Sequence, residues 1–344
     1  MIGSARRAGI TVLALSLLGT LAPAGAEDAS AHTRRSGLAA VVSQQAGVVS
    51  LVDVGQGRVV RTLPVPRVPA SLAASPDGRG LYVSHPDLGL VSHVDLGTGR
   101  VKSFGVGREP FGLAVAQGGA AVLVTDWDGQ VLIRVDTASG RETGRVDVGR
   151  APAHVVVDEA RGLAYVAARE SNAVSIVDIA AMTRTASVPV GTAPFALALS
   201  PDGRRLYVAN VRSNDLSVVD TVTHRETARV KVGLMPYGVA VTPDGARILV
   251  TSQQSGTLIV VDAASLEVAD RIRIGSFPEG LAVRMASSVL AVDWAGDEVS
   301  EVDLETGTVK ARIKVGAGPR TVILLPDVRG RDTSPLPTVA RPGG

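Results

Sequence analysis

Cysteine is absent from the 344 residues, which excludes disulfides, thiolate metal sites, c-type haem attachment and a lipid-modified N-terminal cysteine. Histidine is scarce. His32, His85, His93, His154 and His224 include no His-x-His or His-x-x-x-His pair, so no strong metal site is expected. Neither a G-x-S-x-G elbow nor a phosphate-cradling glycine loop is present. Asp126-Trp-Asp-Gly129 lacks the further spaced acids of a calcium loop and reads as a β-turn. No cofactor and no metal are expected.

An excess of charge of one sign is also missing from the body of the chain. Arg6 and Arg7 precede an apolar run from Ala8 to Leu21, and Ala-x-Ala sites follow up to Ala26. Residues 1–26 therefore read as a cleaved secretory signal peptide. The run is shorter than the about 20 residues that span a bilayer, so no membrane span is expected after cleavage. The leader carries two arginines and no acid, leaving 33 basic against 33 acidic residues. A globally basic binder of nucleic acid or membranes is not implied. The expected location is exported, periplasmic or extracellular, and the expected state is a monomer. An exported chain without disulfides must be held by its core and topology, which roughly 300 residues make feasible.

What the sequence does have is a repeat. Aspartates recur at Asp53, Asp95, Asp136, Asp178, Asp220, Asp262 and Asp303, and prolines at Pro69, Pro110, Pro152, Pro194, Pro236, Pro278 and Pro319. Both markers step by 41 or 42 residues and count seven units. That period suits a propeller blade or a pair of packed helices, and the residues decide between them. In one unit, Gly238–Val241, Arg247–Val250, Thr257–Val261 and Asp270–Ile274 are short, Val- and Ile-rich, and separated by Pro, Asp and Gly. The inner runs are continuously apolar, as buried strands are, and the last alternates. No helix of ten residues fits between such frequent breakers.

The expected fold is all-β: a seven-bladed β-propeller with four antiparallel strands per blade. Three strands' worth of repeat precede Pro69 and one follows Pro319, so the last blade should be closed jointly by N- and C-terminal strands. The expected organisation is a signal peptide at 1–26, a flexible linker at 27–36, the propeller at 37–326 and a flexible tail at 327–344. The recurring aspartates should accept backbone N–H groups in the turn between third and fourth strands. The prolines should fix the entry to each inner strand.

Tyr82-Val-Ser-His85, Tyr165-Val-Ala-Ala168 and Tyr207-Val-Ala-Asn210 resemble the strand that names the YVTN β-propeller repeat. The flanking Ser75-Pro-Asp-Gly78 and Ser200-Pro-Asp-Gly203 turns match as well, as do the Val-Gly-x-x-Pro-x-Gly segments at Val106 and Val232. The tyrosine is replaced at Ala40, Leu123, Leu249 and Leu290, all apolar. The chain looks like the YncE-like exported propellers, a resemblance that implies a fold and leaves function open. It departs from WD40 repeats, which carry Gly-His and Trp-Asp pairs in each blade. It also departs from quinone-cofactor dehydrogenase propellers, which carry a tryptophan in most blades.

Residues that break the repeat are the candidates for function. Phe111, Trp127, Phe195, Tyr237, Phe277 and Trp294, six of the ten aromatics, fall at one face's loops. Trp127 and Trp294 occupy equivalent positions in blades two and six. The aromatics read either as an interaction surface or as local plugs. Arg67, Arg108 and Arg150 lie two residues before their prolines, with Arg169, Arg320 and His154 nearby in sequence register. They read either as an anion-binding arc or as a solvated rim paired with Glu109, Asp126 and Asp128. The expectation is a binding or scaffold protein for a small anionic ligand or a protein partner. The ligand-binding candidates are Arg67, Arg108, Arg150, Arg320, His154, Phe111, Trp127, Phe195, Tyr237 and Trp294. A lactonase-like hydrolase stays open as an alternative, with His85, His154 and Glu279 as acid–base candidates. Single-stranded nucleic-acid binding stays open too and is not favoured.

Overall fold

The computed structural model describes residues 37–326. The expected signal peptide at 1–26, linker at 27–36 and tail at 327–344 all lie outside the described residues. The core is layered by the repeat itself. Each unit folds into a four-stranded antiparallel sheet, and seven such sheets are present. With blade 1 starting at Pro69, blades 1 to 6 run in chain order. Blade 7 takes its inner strand, Pro319–Leu324, from the end of the chain and its outer three, Leu38–Ser43, Val48–Asp53 and Arg58–Pro64, from the beginning. Leu38–Ser43 pairs antiparallel with Pro319–Leu324, Ala39 opposite Leu324 and Val41 opposite Val322. The closure read from the termini is what the fold does.

Burial follows the sequence pattern. Second and third strands such as Ala121–Asp126 and Ala173–Asp178 are almost wholly buried. Fourth strands such as Arg225–Lys231 alternate between exposed and half-buried residues. A sheet buried on both faces needs a neighbour on both sides, so the seven core clusters are the seven junctions between blades. Tyr165 and Ile176 of blade 3, for example, pack on Leu206 and Val208 of blade 4. Val49 and Leu51 of blade 7 pack on Leu81 and Val83 of blade 1, completing the ring. The YVTN tyrosines Tyr165 and Tyr207 are fully buried there, and so are Leu123, Leu249 and Leu290 in their place.

All seven recurring aspartates do the job expected of them. Asp53, Asp95, Asp136, Asp178, Asp220, Asp262 and Asp303 each accept, through Oδ1, the backbone N–H three residues on, at 2.7–3.0 Å. On that same face, arginines tie neighbouring blades. Arg61 donates to the Leu96 carbonyl at 2.5 Å, and Arg134 donates to the Ile179 carbonyl at 2.6 Å.

Six of the seven repeat prolines begin inner strands, from Pro110–Ala116 in blade 2 to Pro319–Leu324 in blade 7. In blade 1 the regular strand shortens to Leu72–Ala74, leaving Pro69 just outside it. Near their starts the inner strands bulge, the register shifting between Pro110 and Leu113 and between Pro236 and Gly238. A bulge turns the strand's first side chains out of the ladder. Here it aims them at the axis.

A candidate binding site at the axial mouth

Because every blade repeats the same geometry, the residue after each proline occupies the same place around the axis. In blade order these are Ala70, Phe111, Ala153, Phe195, Tyr237, Glu279 and Arg320. The next position inward holds Ser71, Gly112, His154, Ala196, Gly238, Gly280 and Thr321. Residues of both rings line one cavity of about 170 Å³, to which all seven blades contribute. Phe111, His154, Phe195, Tyr237 and Arg320 form much of its wall.

The cavity has an aromatic side and a polar side. Phe111 meets Phe195 edge-on at 5.8 Å between ring centroids, although they come from blades 2 and 4. Ala153, in the intervening blade, is small enough to leave that space. Phe195 packs on Tyr237 at 4.3 Å, and Trp127 backs Phe111 at 5.3 Å. The Arg169 guanidinium lies 5.7 Å from the Trp127 ring centroid, within cation–π range.

On the polar side, three consecutive blades supply Tyr237, Glu279 and Arg320. The Arg320 Nε donates to Glu279 Oε2 at 3.1 Å, Nη1 donates to Gln44 Oε1 at 3.3 Å, and Nη2 donates to the Tyr237 hydroxyl. Gln253 Nε2 donates to the other Glu279 oxygen at 2.9 Å. Glu279 is 4% exposed and does not line the cavity. Burial pushes its carboxyl up to about 7, although Arg320 and Gln253 pull the other way. Burial likewise raises Tyr237, which stays a phenol.

His154 sits across the ring from this cluster. The Leu197 backbone N–H donates to its Nδ1 at 3.2 Å. A backbone N–H can only donate, so Nδ1 holds the lone pair and the proton is on Nε2. Surrounding protein holds the imidazole down to about 4, so the ring is neutral at ordinary pH. It presents a hydrogen-bond donor to the cavity and no free base.

Close approach of the inner strands requires glycine. A Cβ on Gly112 would stand 2.3 Å from the Ala153 carbonyl oxygen of the next blade. Thr125 closes that seam: its Oγ1 accepts from Gly112 N–H at 2.7 Å and donates to the Ala153 carbonyl at 2.7 Å.

The ten candidates from the sequence therefore separate. Phe111, Phe195, Tyr237, His154 and Arg320 meet at the cavity, with Trp127 behind Phe111. Trp294 packs at 6.0 Å on Phe277 and does not line the cavity. Both tryptophans follow an aspartate that anchors the preceding loop. Asp126 accepts from Arg108 and Glu109 N–H at 2.9 Å, and Asp293 accepts from Ser276 and Phe277 N–H at 2.8 Å. The segment after Asp126 is a turn, closed by Gln130 N–H to the Asp126 carbonyl at 2.8 Å.

The arginines are not one arc. Arg67, Arg108 and Arg150 precede their prolines by two residues and lie exposed on the rim. There Arg67 stands 4.0 Å from Asp87, Arg108 stands 3.3 Å from Asp128, and Arg150 donates to the Glu170 carbonyl at 2.6 Å. Arg320 follows its proline by one and is turned to the axis. Of the other acid–base candidates, His85 is fully buried away from the cavity with Nδ1 3.3 Å from the Arg67 carbonyl, and burial lowers its pKa. The sequence reading missed Gln44 and Gln253, which complete the polar cluster. Aligning the seven units one residue past each proline would have put Glu279 and Arg320 in register with Phe111. The two glutamines come from the ends of different blades' second strands, and no sequence spacing links them. Among the described residues no group of three histidines or carboxylates could hold a metal.

Residues 159–329 match the model of the YNCE-like beta-propeller family. No curated protein matches the chain in sequence. Among solved structures it is similar to hydrazine synthase from Kuenenia stuttgartiensis, with 22% identity, a TM-score of 0.69, and 76% of this chain and 90% of that one covered. A functionally unknown protein from Desulfotomaculum acetoxidans superposes with a TM-score of 0.74 at 13% identity, covering 85% of this chain and 100% of that one. Dihydro-heme d1 dehydrogenase NirN, in complex with DHE, gives 0.62 at 17% identity, covering 84% and 75%. At these identities the likeness is one of fold. The seven-unit repeat, the closed ring of four-stranded blades and the family match agree: the chain belongs to the YNCE-like β-propellers.

Proposed function

We propose that this propeller is an exported, monomeric binding module that holds a small, partly apolar ligand in its axial mouth. One observation carries the reading: a single cavity joins residues of all seven blades, with aromatic rings on one side and Arg320, a neutral His154, Ser71 and Thr321 among its polar residues. A mostly apolar pocket with a few fixed polar groups is the usual form of a small-molecule site. Its size sets the ligand. An apolar cavity of about 150 Å³ takes a benzene ring, so about 170 Å³ suits one ring or a branched chain with a small polar substituent. The hydrolase reading is weaker, because His154 offers a donor where a general base is needed. The nucleic-acid reading is weaker too, because each rim arginine already has an acidic or carbonyl partner.

The test is to fill the cavity. Ala70 lines it, and its position holds phenylalanine in blades 2 and 4, so Ala70→Phe suits the blade geometry. A panel of small aromatic and branched molecules should give ligand-observed NMR binding to the native protein and none to Ala70→Phe, at unchanged melting temperature. Binding that survives in the variant, or no binder in the panel, overturns the proposal.

A further inference from the structure

We propose that the ligand of the axial cavity is a small monocarboxylate whose carboxylate joins Arg320 and whose apolar body lies against Phe111, Phe195 and Tyr237. This rests on the binding reading above and names its ligand class. The argument begins with the donor inventory of the guanidinium. Arginine carries five N–H groups. In Arg320 one goes to Glu279, one to Gln44 and one to Tyr237. One hydrogen remains on each terminal nitrogen, and the side chain lines the cavity. Two such donors match the two oxygens of a carboxylate. The existing contacts need not break for the ligand to bind.

Glu279 makes that binding proton-linked. It already neutralises Arg320, so a ligand carboxylate brings a second anion to one buried cation. Two carboxylates sharing a site favour a proton on one of them. Glu279 is the one to take it, from water: it is 4% exposed, and burial already lifts it to about 7. The charged and titratable groups facing it are Arg320 from blade 7 and Tyr237 from blade 5, and Gln253 is its neutral partner. Thr251 bonds only its backbone carbonyl, at 2.5 Å. With Glu279 protonated, the pocket carries the unopposed charge of Arg320, and carboxylate affinity is at its plateau. As pH rises through the Glu279 pKa, each bound ligand must recruit a proton, and affinity falls by up to about tenfold per pH unit.

The probes are benzoate and its neutral isostere benzamide, titrated calorimetrically into the full chain at pH 6 and pH 8.5. Benzoate should bind at least tenfold more tightly at pH 6, with net proton uptake at pH 8.5, and benzamide should show no such dependence. Glu279→Gln should hold benzoate affinity near its pH 6 value at both pH values. Arg320→Gln should weaken benzoate at least thirtyfold and leave benzamide within threefold. Equal binding of the two probes, or a benzoate affinity indifferent to pH and to Glu279→Gln, overturns the carboxylate inference while the binding module stands. Failure of both probes, with other molecules still lost on Ala70→Phe, refutes this inference alone. Failure of every molecule sinks both proposals.

Discussion

Arg320→Leu tests the electrostatics of the axial cluster without any ligand. In the native protein the Arg320 guanidinium, with a fifth of its side chain exposed, faces a Glu279 side chain that is 5% exposed at 3.1 Å. Removing one member of a buried pair strands the other, at a cost of about 3–5 kcal/mol. Glu279 keeps its bond from Gln253 and can take up a proton, so the lower end, about 3 kcal/mol, is expected at pH 8.5. The sign of the pH effect follows from linkage. The folded pKa of Glu279, about 7, lies above its ordinary 4.5, so its favourable contribution is full below 4.5 and lost as pH rises through 7. Losing the cation raises that pKa further, and each added unit costs about 1.4 kcal/mol at high pH. At pH 5.5 Glu279 is protonated with or without Arg320, so no charge is stranded. What remains is the loss of the hydrogen bonds to Glu279, Gln44 and Tyr237, roughly 1 kcal/mol each, which go at either pH and add to the stranded charge at pH 8.5. Urea unfolding at the two pH values should show Arg320→Leu distinctly more destabilising at pH 8.5. Adding Glu279→Gln should flatten the dependence. An equal loss at both pH values would refute the coupling, and with it the account of the cluster.

Two further outcomes follow from the cavity wall. Gly112→Ala sets a methyl against the Ala153 backbone, which cannot swing aside as a side chain can; chemical denaturation should show a loss of about 1–3 kcal/mol, and the displaced neighbour, His154, should weaken ligand binding. A native-like midpoint would show that the blades are not in that contact. His154, held near 4 against an ordinary 6.5, contributes stability that is complete above pH 6.5 and lost as pH falls toward 4. His154→Gln should therefore shed up to roughly 3 kcal/mol of acid sensitivity across that interval; acid denaturation curves that superpose would contradict its half-buried, neutral state.

Much of this protein is written locally. An aspartate capping the N–H three residues on needs only its own turn, and a strand buried on two faces shows as an unbroken apolar run. Seven copies of each, counted along the chain, give the blades, and three strands at one end with one at the other give the closure. These features are legible because each is decided within one repeat of 41–42 residues. The site is decided between repeats. Tyr237 and Arg320 lie 83 positions apart, and Gln44 and Arg320 lie 276 apart, yet each pair shares a hydrogen bond. The four arginines grouped by sequence register are parted by a three-residue difference around the proline, which leaves three on a paired rim and turns Arg320 to the axis. Only closing the ring brings the seven post-proline positions around one space, because their distance from the axis belongs to the assembled circle and to no blade alone.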